Sequence, residues 1–135
     1  MSRPQPNSES ALRMARTEAD SPPANGIVIA ISSDTMGRGD NELGQVLMRS
    51  YLHTLTELTP RADTLIFFNS GVKLAVEGSP AVEDLRVLAE QGVRVLLCGT
   101  CLGHFDLKEH VVVGQISNMY AISETMLQAQ RLINL

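Results

Sequence analysis

The sequence predicts an α/β domain with an open, largely parallel sheet lying between two helical layers. Two observations carry that reading. Short β-branched runs of the kind that are buried on both faces alternate with amphipathic stretches, and the connections between them are short enough to impose right-handed crossovers.

Taken in order, Met1–Gly26 carries Pro4, Pro6, Pro22 and Pro23 among Ser, Asn, Glu and Arg, with too few large apolar residues to offset ordering entropy. It reads as a flexible tail in which only Ala11–Glu18 favours a helix, and residues 27–135 form the domain. Ile27–Ile31 (Ile-Val-Ile-Ala-Ile) is a continuous run suited to a buried parallel strand. Leu43, Val46, Leu47, Tyr51, Leu55 and Leu58 then recur at helical steps until Pro60, predicting an amphipathic helix with that apolar stripe. Thr64–Phe68 is a second strand, and Val82, Leu85, Leu88 and Ala89 mark a helix ending at Gly92. Val93–Leu97 is the third strand and Val111–Ile116 the fourth. A helix carrying Met119, Ile122, Met126 and Ala129 follows, and Leu132–Leu135 forms a short last strand. There is no internal repeat.

Composition excludes several classes of function. The 135 residues, 44% hydrophobic and 19% charged, suffice for one core and not for two. A net charge of -4 offers no broad attraction to nucleic acid or anionic lipid. No apolar run approaches the roughly 20 residues of a membrane span, and the N-terminal stretch lacks the apolar middle of a secretory signal. The expected location is cytoplasmic, where the two cysteines are reduced or only transiently oxidised.

Ligands of open parallel sheets bind beyond the carboxyl ends of the strands. The polar clusters fall there: Ser32–Asp40 after the first strand, Asn69–Lys73 after the second, Cys98–Cys101 after the third, and Ser117-Asn118 after the fourth. This predicts one composite site. In the first loop Gly37 and Gly39 could aim amides at an anion, but the Walker Lys-Ser/Thr ending is absent, and Asp34 and Asp40 would repel phosphate. Asp40 or Asn41 is better read as a helix cap, and no cofactor is required. Lys73 is either a solvated loop cation or an ammonium that lowers a neighbouring thiol's pKa. Asn118 is either a helix cap or a substrate contact.

Cys98-Gly99-Thr100-Cys101 has three chemical readings. A metal would be held by Cys98, Cys101, His104 and His110, although zinc fingers space their ligand pairs more widely. Thiol-disulfide exchange of the thioredoxin kind expects a helix starting at once, which Leu102-Gly103-His104 interrupts. Sulfur transfer through a persulfide needs a thiolate at neutral pH, and a cysteine at a strand end, facing amide donors and Lys73, has the setting that lowers a thiol pKa. Cys98 alone is also explicable as a small buried apolar residue. Cys101, in a Gly-flanked loop, is harder to explain as packing.

Several motifs in order resemble the DsrE-like domain of the YedF group, sulfurtransferase-like proteins of selenium metabolism: Ser33-Asp34-Thr35-Met36-Gly37, Glu42-Leu43-Gly44, Phe68–Leu74, Glu77-Gly78-Ser79, Cys98–Leu102 and Ser117–Tyr120. The resemblance implies a three-layer α/β/α sandwich with a mostly parallel sheet of four or five strands, homo-oligomerisation, and sulfur or selenium relay with Cys98 as the working cysteine. Asp34, Thr35, Asn69, Gly71, Lys73, Thr100 and Asn118 are the expected supporting residues. The TusA-like domain usual in that group is not found in residues 1–26, which implies a separate TusA-like carrier or a cysteine desulfurase as partner. Cys101 is then the expected resolving thiol, attacking the inner sulfur of a Cys98 persulfide and releasing sulfide. A non-catalytic scaffold subunit and a redox-regulatory dithiol are the alternatives.

Overall fold

Residues 25–135 are described by the computed structural model; the expectations for residues 1–24, including the helical stretch at Ala11–Glu18, lie outside them. β1 (Ile27–Ile31) is buried along its whole length, as an unbroken apolar run requires of a strand covered on both faces. β2 (Thr64–Phe67) pairs with β1, and β3 (Arg94–Cys98) with β2. β4 (Gln115–Ser117) and β5 (Arg131–Asn134) are the edges of a single five-stranded sheet of order β4-β3-β2-β1-β5, parallel throughout.

That order decides the layers. From β1 to β4 the chain steps one way across the sheet, so right-handed crossovers put α1 (Asn41–Leu55) and α2 (Val82–Glu90), which touch each other, on one face. The return from β4 to β5 runs the other way and carries α4 (Met119–Gln128) across the opposite face, against β3. A short helix, α3 (Gly99–His104), leads out of β3. Because all strands run the same way, the loops after β1, β2, β3 and β4 share one end of the sheet, as expected. The core is apolar and continuous across β1, β2 and β3, with Phe67, Leu65, Leu97 and Leu102 among its fully buried side chains. Among the described residues no helix is long and apolar enough to cross a membrane.

Four expectations need correction. The face of α1 turned inward is Gly44, Met48 and Leu52, flanked by half-buried Tyr51 and Leu55. Leu43, Val46 and Leu47 stay exposed because α1 sits so close to the loop after β1 that a Cβ at Gly44 would lie 2.8 Å from the Thr35 Cβ. Val111–Val113 is not the fourth strand. Val111 forms an isolated antiparallel bridge with Val76, the Val112 amide donates to the Ala75 carbonyl, and Gly114, at φ +92°, turns the chain into β4. In α4 only Ile122 is buried, while Met119 is half exposed and Leu127 is 87% exposed. Finally, Leu102-Gly103-His104 does not prevent a helix: α3 spans it, with the Phe105 amide bonded to the Cys101 carbonyl. An interior glycine costs about 1 kcal/mol. Full burial of Leu102, worth about 2 kcal/mol, offsets it.

His53 joins the two helices on the first face, its Nδ1 3.0 Å from Asp84 Oδ1, with Glu57 at 3.6 Å from Nε2. The hydrogen bond and charge of Asp84, then the charge of Glu57, raise the pKa of His53 above the ordinary histidine value. A folded-state pKa raised in this way means a contribution present below the unfolded value and lost as pH rises through the folded one. We expect Asp84→Asn to lower the His53 pKa in an NMR titration and to reduce the pH dependence of stability between mildly acidic and neutral pH. An unchanged His53 titration would show that the pair does not form in solution.

Candidate dithiol site

Cys98 is the last residue of β3 and is 1% exposed, so its sulfur ends the strand inside the core. It is also the residue that caps α3. The helix starts pressed against β4: a Cβ at Gly99 would lie 3.0 Å from the Ser117 carbonyl oxygen and 3.2 Å from Ile116 Cγ2. Less than one turn later Cys101 comes out half-buried, and the next residue, Leu102, anchors the helix in the core. Both cysteines are free.

The second wall is the 3-10 segment Asn69–Ala75, which leaves β2 and packs against α3. Its first turn is clamped onto the end of β1. The Phe68 amide donates to the Ile31 carbonyl at 3.2 Å, and a Cβ at Gly71 would lie 2.3 Å from that same oxygen, so only glycine fits. Asn69 takes a left-handed conformation, φ +52°, and its main-chain N–H donates to Cys101 Sγ at 3.0 Å. Asparagine tolerates that conformation better than most residues. The Asp34 amide donates to Ser70 Oγ at 3.4 Å, tying in the loop after β1. Farther along, Lys73 places its Nζ 4.5 Å from the centre of the Phe105 ring, and His104 meets the same ring edge-on at 5.0 Å.

Burial pushes the Cys101 thiol above the ordinary thiol value; the Asn69 amide pulls it back down, and the neighbouring Cys98 thiol raises it further. At Cys101 desolvation thus outweighs the one amide bond. The arrangement presents a half-buried sulfur with a donor fixed on it and a second thiol behind it. Such a pair can accept sulfur on the outer thiol or close to a disulfide.

The expected residues separate into two groups. Cys98, Cys101, Asn69 and Gly71 are brought together, and Lys73 and Asp34 are tied to the same turn. Thr35 bonds Ser33 within its own loop, Thr100 is exposed, and Asn118 caps α4 by accepting from the Ala121 amide. Asp40 caps α1 by accepting from Leu43. The four side chains of the metal reading are not gathered: among the described residues no group of three or more His, Cys, Asp or Glu stands placed to hold an ion, and His110 is bonded to Glu77. Phe105 lies outside the expected set, and Ser70 is in it only as part of the Asn69–Lys73 cluster. Phe105 follows Cys101 by four residues, a relation that matters only once α3 is a helix.

A parallel α/β/α domain with a dithiol at the carboxyl end of its third strand defines the class. Residues 29–135 match the DsrE/DsrF-like family, and the chain belongs to it. Solved structures agree on the fold. The YchN protein of E. coli has a TM-score of 0.64 at 18% identity, over 82% of this chain and 99% of that one. A protein of unknown function from Methanobacterium thermoautotrophicum, MTH1491, has a TM-score of 0.59 at 20% identity, covering 81% and 97%. BT1422 of Bacteroides thetaiotaomicron, also of unknown function, has 0.59 at 11%, covering 86% and 100%. No curated protein matches.

Gly71→Ala tests the clamp. The added methyl cannot fit against the Ile31 carbonyl without moving backbone, so we expect a loss of about 1–3 kcal/mol in denaturant unfolding and altered alkylation of Cys101. Wild-type values for both would show that the turn does not hold the site.

Proposed function

We propose that this chain is a sulfur or selenium relay protein of the YedF kind, in which Cys101 receives the cargo and Cys98 resolves it. One observation carries the reading: Cys101 is half-buried and its Sγ accepts from the Asn69 N–H, whereas Cys98 is shut into the core. Family membership supports the class of chemistry. The burial of the two sulfurs favours exchanging the parts expected from the sequence, since an incoming donor meets Cys101 first. In the resolving step Cys98-SH attacks the Cys101 sulfur of Cys101-S-SH, a Cys98–Cys101 bond forms, the S–S bond to the outer sulfur breaks, and H₂S leaves; a dithiol reductant then restores both thiols. The chemistry requires a donor of sulfane sulfur, for which the family resemblance favours a TusA-like carrier or a cysteine desulfurase. Incubation with a cysteine desulfurase and cysteine, followed by peptide mass mapping, is expected to place one added sulfur on Cys101. In Cys98→Ser that persulfide persists and sulfide release falls at least tenfold. Mapping to Cys98, or equal sulfide release from Cys98→Ser, would overturn the assignment of roles.

The family resemblance also favours a homo-oligomer, and the surface supports it. Ile116, Met119, Leu127 and Leu132 of β4, α4 and β5 are exposed, with Tyr120 82% exposed, and such large apolar side chains are what a second copy would cover. Sedimentation velocity is expected to show an assembly that Tyr120→Glu with Leu127→Glu converts to smaller species. A wild-type monomer at tens of micromolar would remove this part of the reading.

A further inference from the structure

We propose that Lys73, seated on the ring of Phe105, forms with the Asn69 amide an anion-receptive mouth over Cys101, so that the site takes sulfur from donors carrying negative charge. The inference rests on Cys101 being the thiol that accepts sulfur, and it adds the class of donor and a positioning role for Phe105.

The chemistry sets the need. A persulfide anion loads Cys101 by attack of its thiolate on the outer sulfur: the new bond joins Cys101 Sγ to that sulfur, the donor's own S–S bond breaks, and the donor's inner sulfur departs as a thiolate with the electron pair. With thiosulfate the same attack releases sulfite. Either way, two anionic groups must come into contact, and their repulsion opposes the step unless cations or N–H groups face the gap. The Asn69 N–H already points at Cys101 Sγ, at 3.0 Å. Phe105 is the cap residue of α3 and its amide donates to the Cys101 carbonyl at 3.1 Å, so it stands one turn beyond Cys101. Lys73 comes from the facing 3-10 segment and is held 4.5 Å from the ring centre, a geometry in which the aromatic face attracts the ammonium. Among the described residues no carboxylate pairs with Lys73. Asp34, tied to Ser70 by its amide, and exposed Asp106, next to Phe105, are the acids on the same elements, and neither is bonded to the ammonium. Phe105 thus gives a flexible surface lysine a fixed place where the 3-10 segment packs against α3.

The test uses the full-length chain with Cys98→Ala, so that one thiol reacts, and compares alkylation by iodoacetate, an anion, with iodoacetamide, which is neutral. The ratio of the two rates cancels any change in thiol ionisation and reports the charge at the mouth. At low salt Lys73→Met should lower the iodoacetate-to-iodoacetamide ratio about twofold, Phe105→Leu should lower it by a similar factor with Lys73 present, and Lys73→Arg should restore it. High salt should erase the differences. An unchanged ratio in Lys73→Met, an exposed position where folding is not at risk, overturns the proposal; an unchanged ratio in Phe105→Leu overturns the positioning role. Loading of the wild-type and Lys73→Met chains with thiosulfate and with cysteine persulfide identifies the source: selective loss with one donor supports that donor, and loss with both supports anionic donors generally. Equal loading of both chains overturns the proposal even though sulfur transfer occurs. Failure of every donor to load the wild-type chain counts against the relay reading instead, and the alkylation ratio still decides the charge at the mouth.

Discussion

The arrangement of the site depends on the close approach of the Asn69–Gly71 turn to the last carbonyl of β1. At Gly71 that oxygen stands where a side chain would begin, and the Phe68 amide is bonded to it as well. With the turn fixed at both points, Asn69 has no freedom to relax out of its left-handed conformation, and its N–H is aimed outward at the sulfur of α3. The 3-10 segment then runs on with its direction set, burying Val72 and Leu74 and leaving Lys73 to face the ring of Phe105. A main-chain contact between the end of β1 and the turn after β2 therefore decides which polar groups surround the cysteines.

The sheet supplies the other half. Parallel pairing of β1, β2 and β3 brings the ends of all three to one edge, so that a turn after β2 can bridge the end of β1 and the helix after β3. Because β3 continues to Cys98, the first sulfur is spent inside the core, and the helical rise to Cys101 brings the second to the surface within one turn. Unequal exposure follows from a change of backbone type between two cysteines three residues apart. It needs no special packing around either sulfur.

This is also why the sequence revealed the fold more fully than the site. β1 is legible to the residue because five consecutive β-branched and small apolar residues admit one reading. β3 starts one residue later than its apolar run, since the Val93 amide still closes the preceding helix by bonding the Leu88 carbonyl. At its other end β3 runs one residue further, Cys98 pairing with Ser117 of β4, so that residue lies in the strand and is buried. In α1 two stripes satisfy a helical period: Leu43, Val46 and Leu47 form the more hydrophobic one, and Gly44, Met48 and Leu52 form the one that is buried, because the glycine allows the closer approach. In α3 the glycine of Leu102-Gly103-His104 signals a break by propensity alone, and only the burial of Leu102 overrides it. The Asn69 contact was beyond reach, as it uses a main-chain amide that every residue but proline carries. Its trace in the sequence is the pair Asn69 and Gly71, whose backbone tolerance suits a strained turn.

The exposed apolar residues bear on the chemistry as well as on assembly. Ile116 and Ser117 touch Gly99 at the start of α3, and Met119 and Tyr120 continue from them onto α4, so apolar surface adjoins the segment that carries both cysteines. A second copy covering that surface would exclude water from one side of α3 while Lys73 and the Asn69 amide border the other. Lower water access strengthens the pull of a fixed ammonium on an anionic donor and raises the cost of an unpaired thiolate. Assembly would therefore sharpen the site's preference for charged sulfur donors.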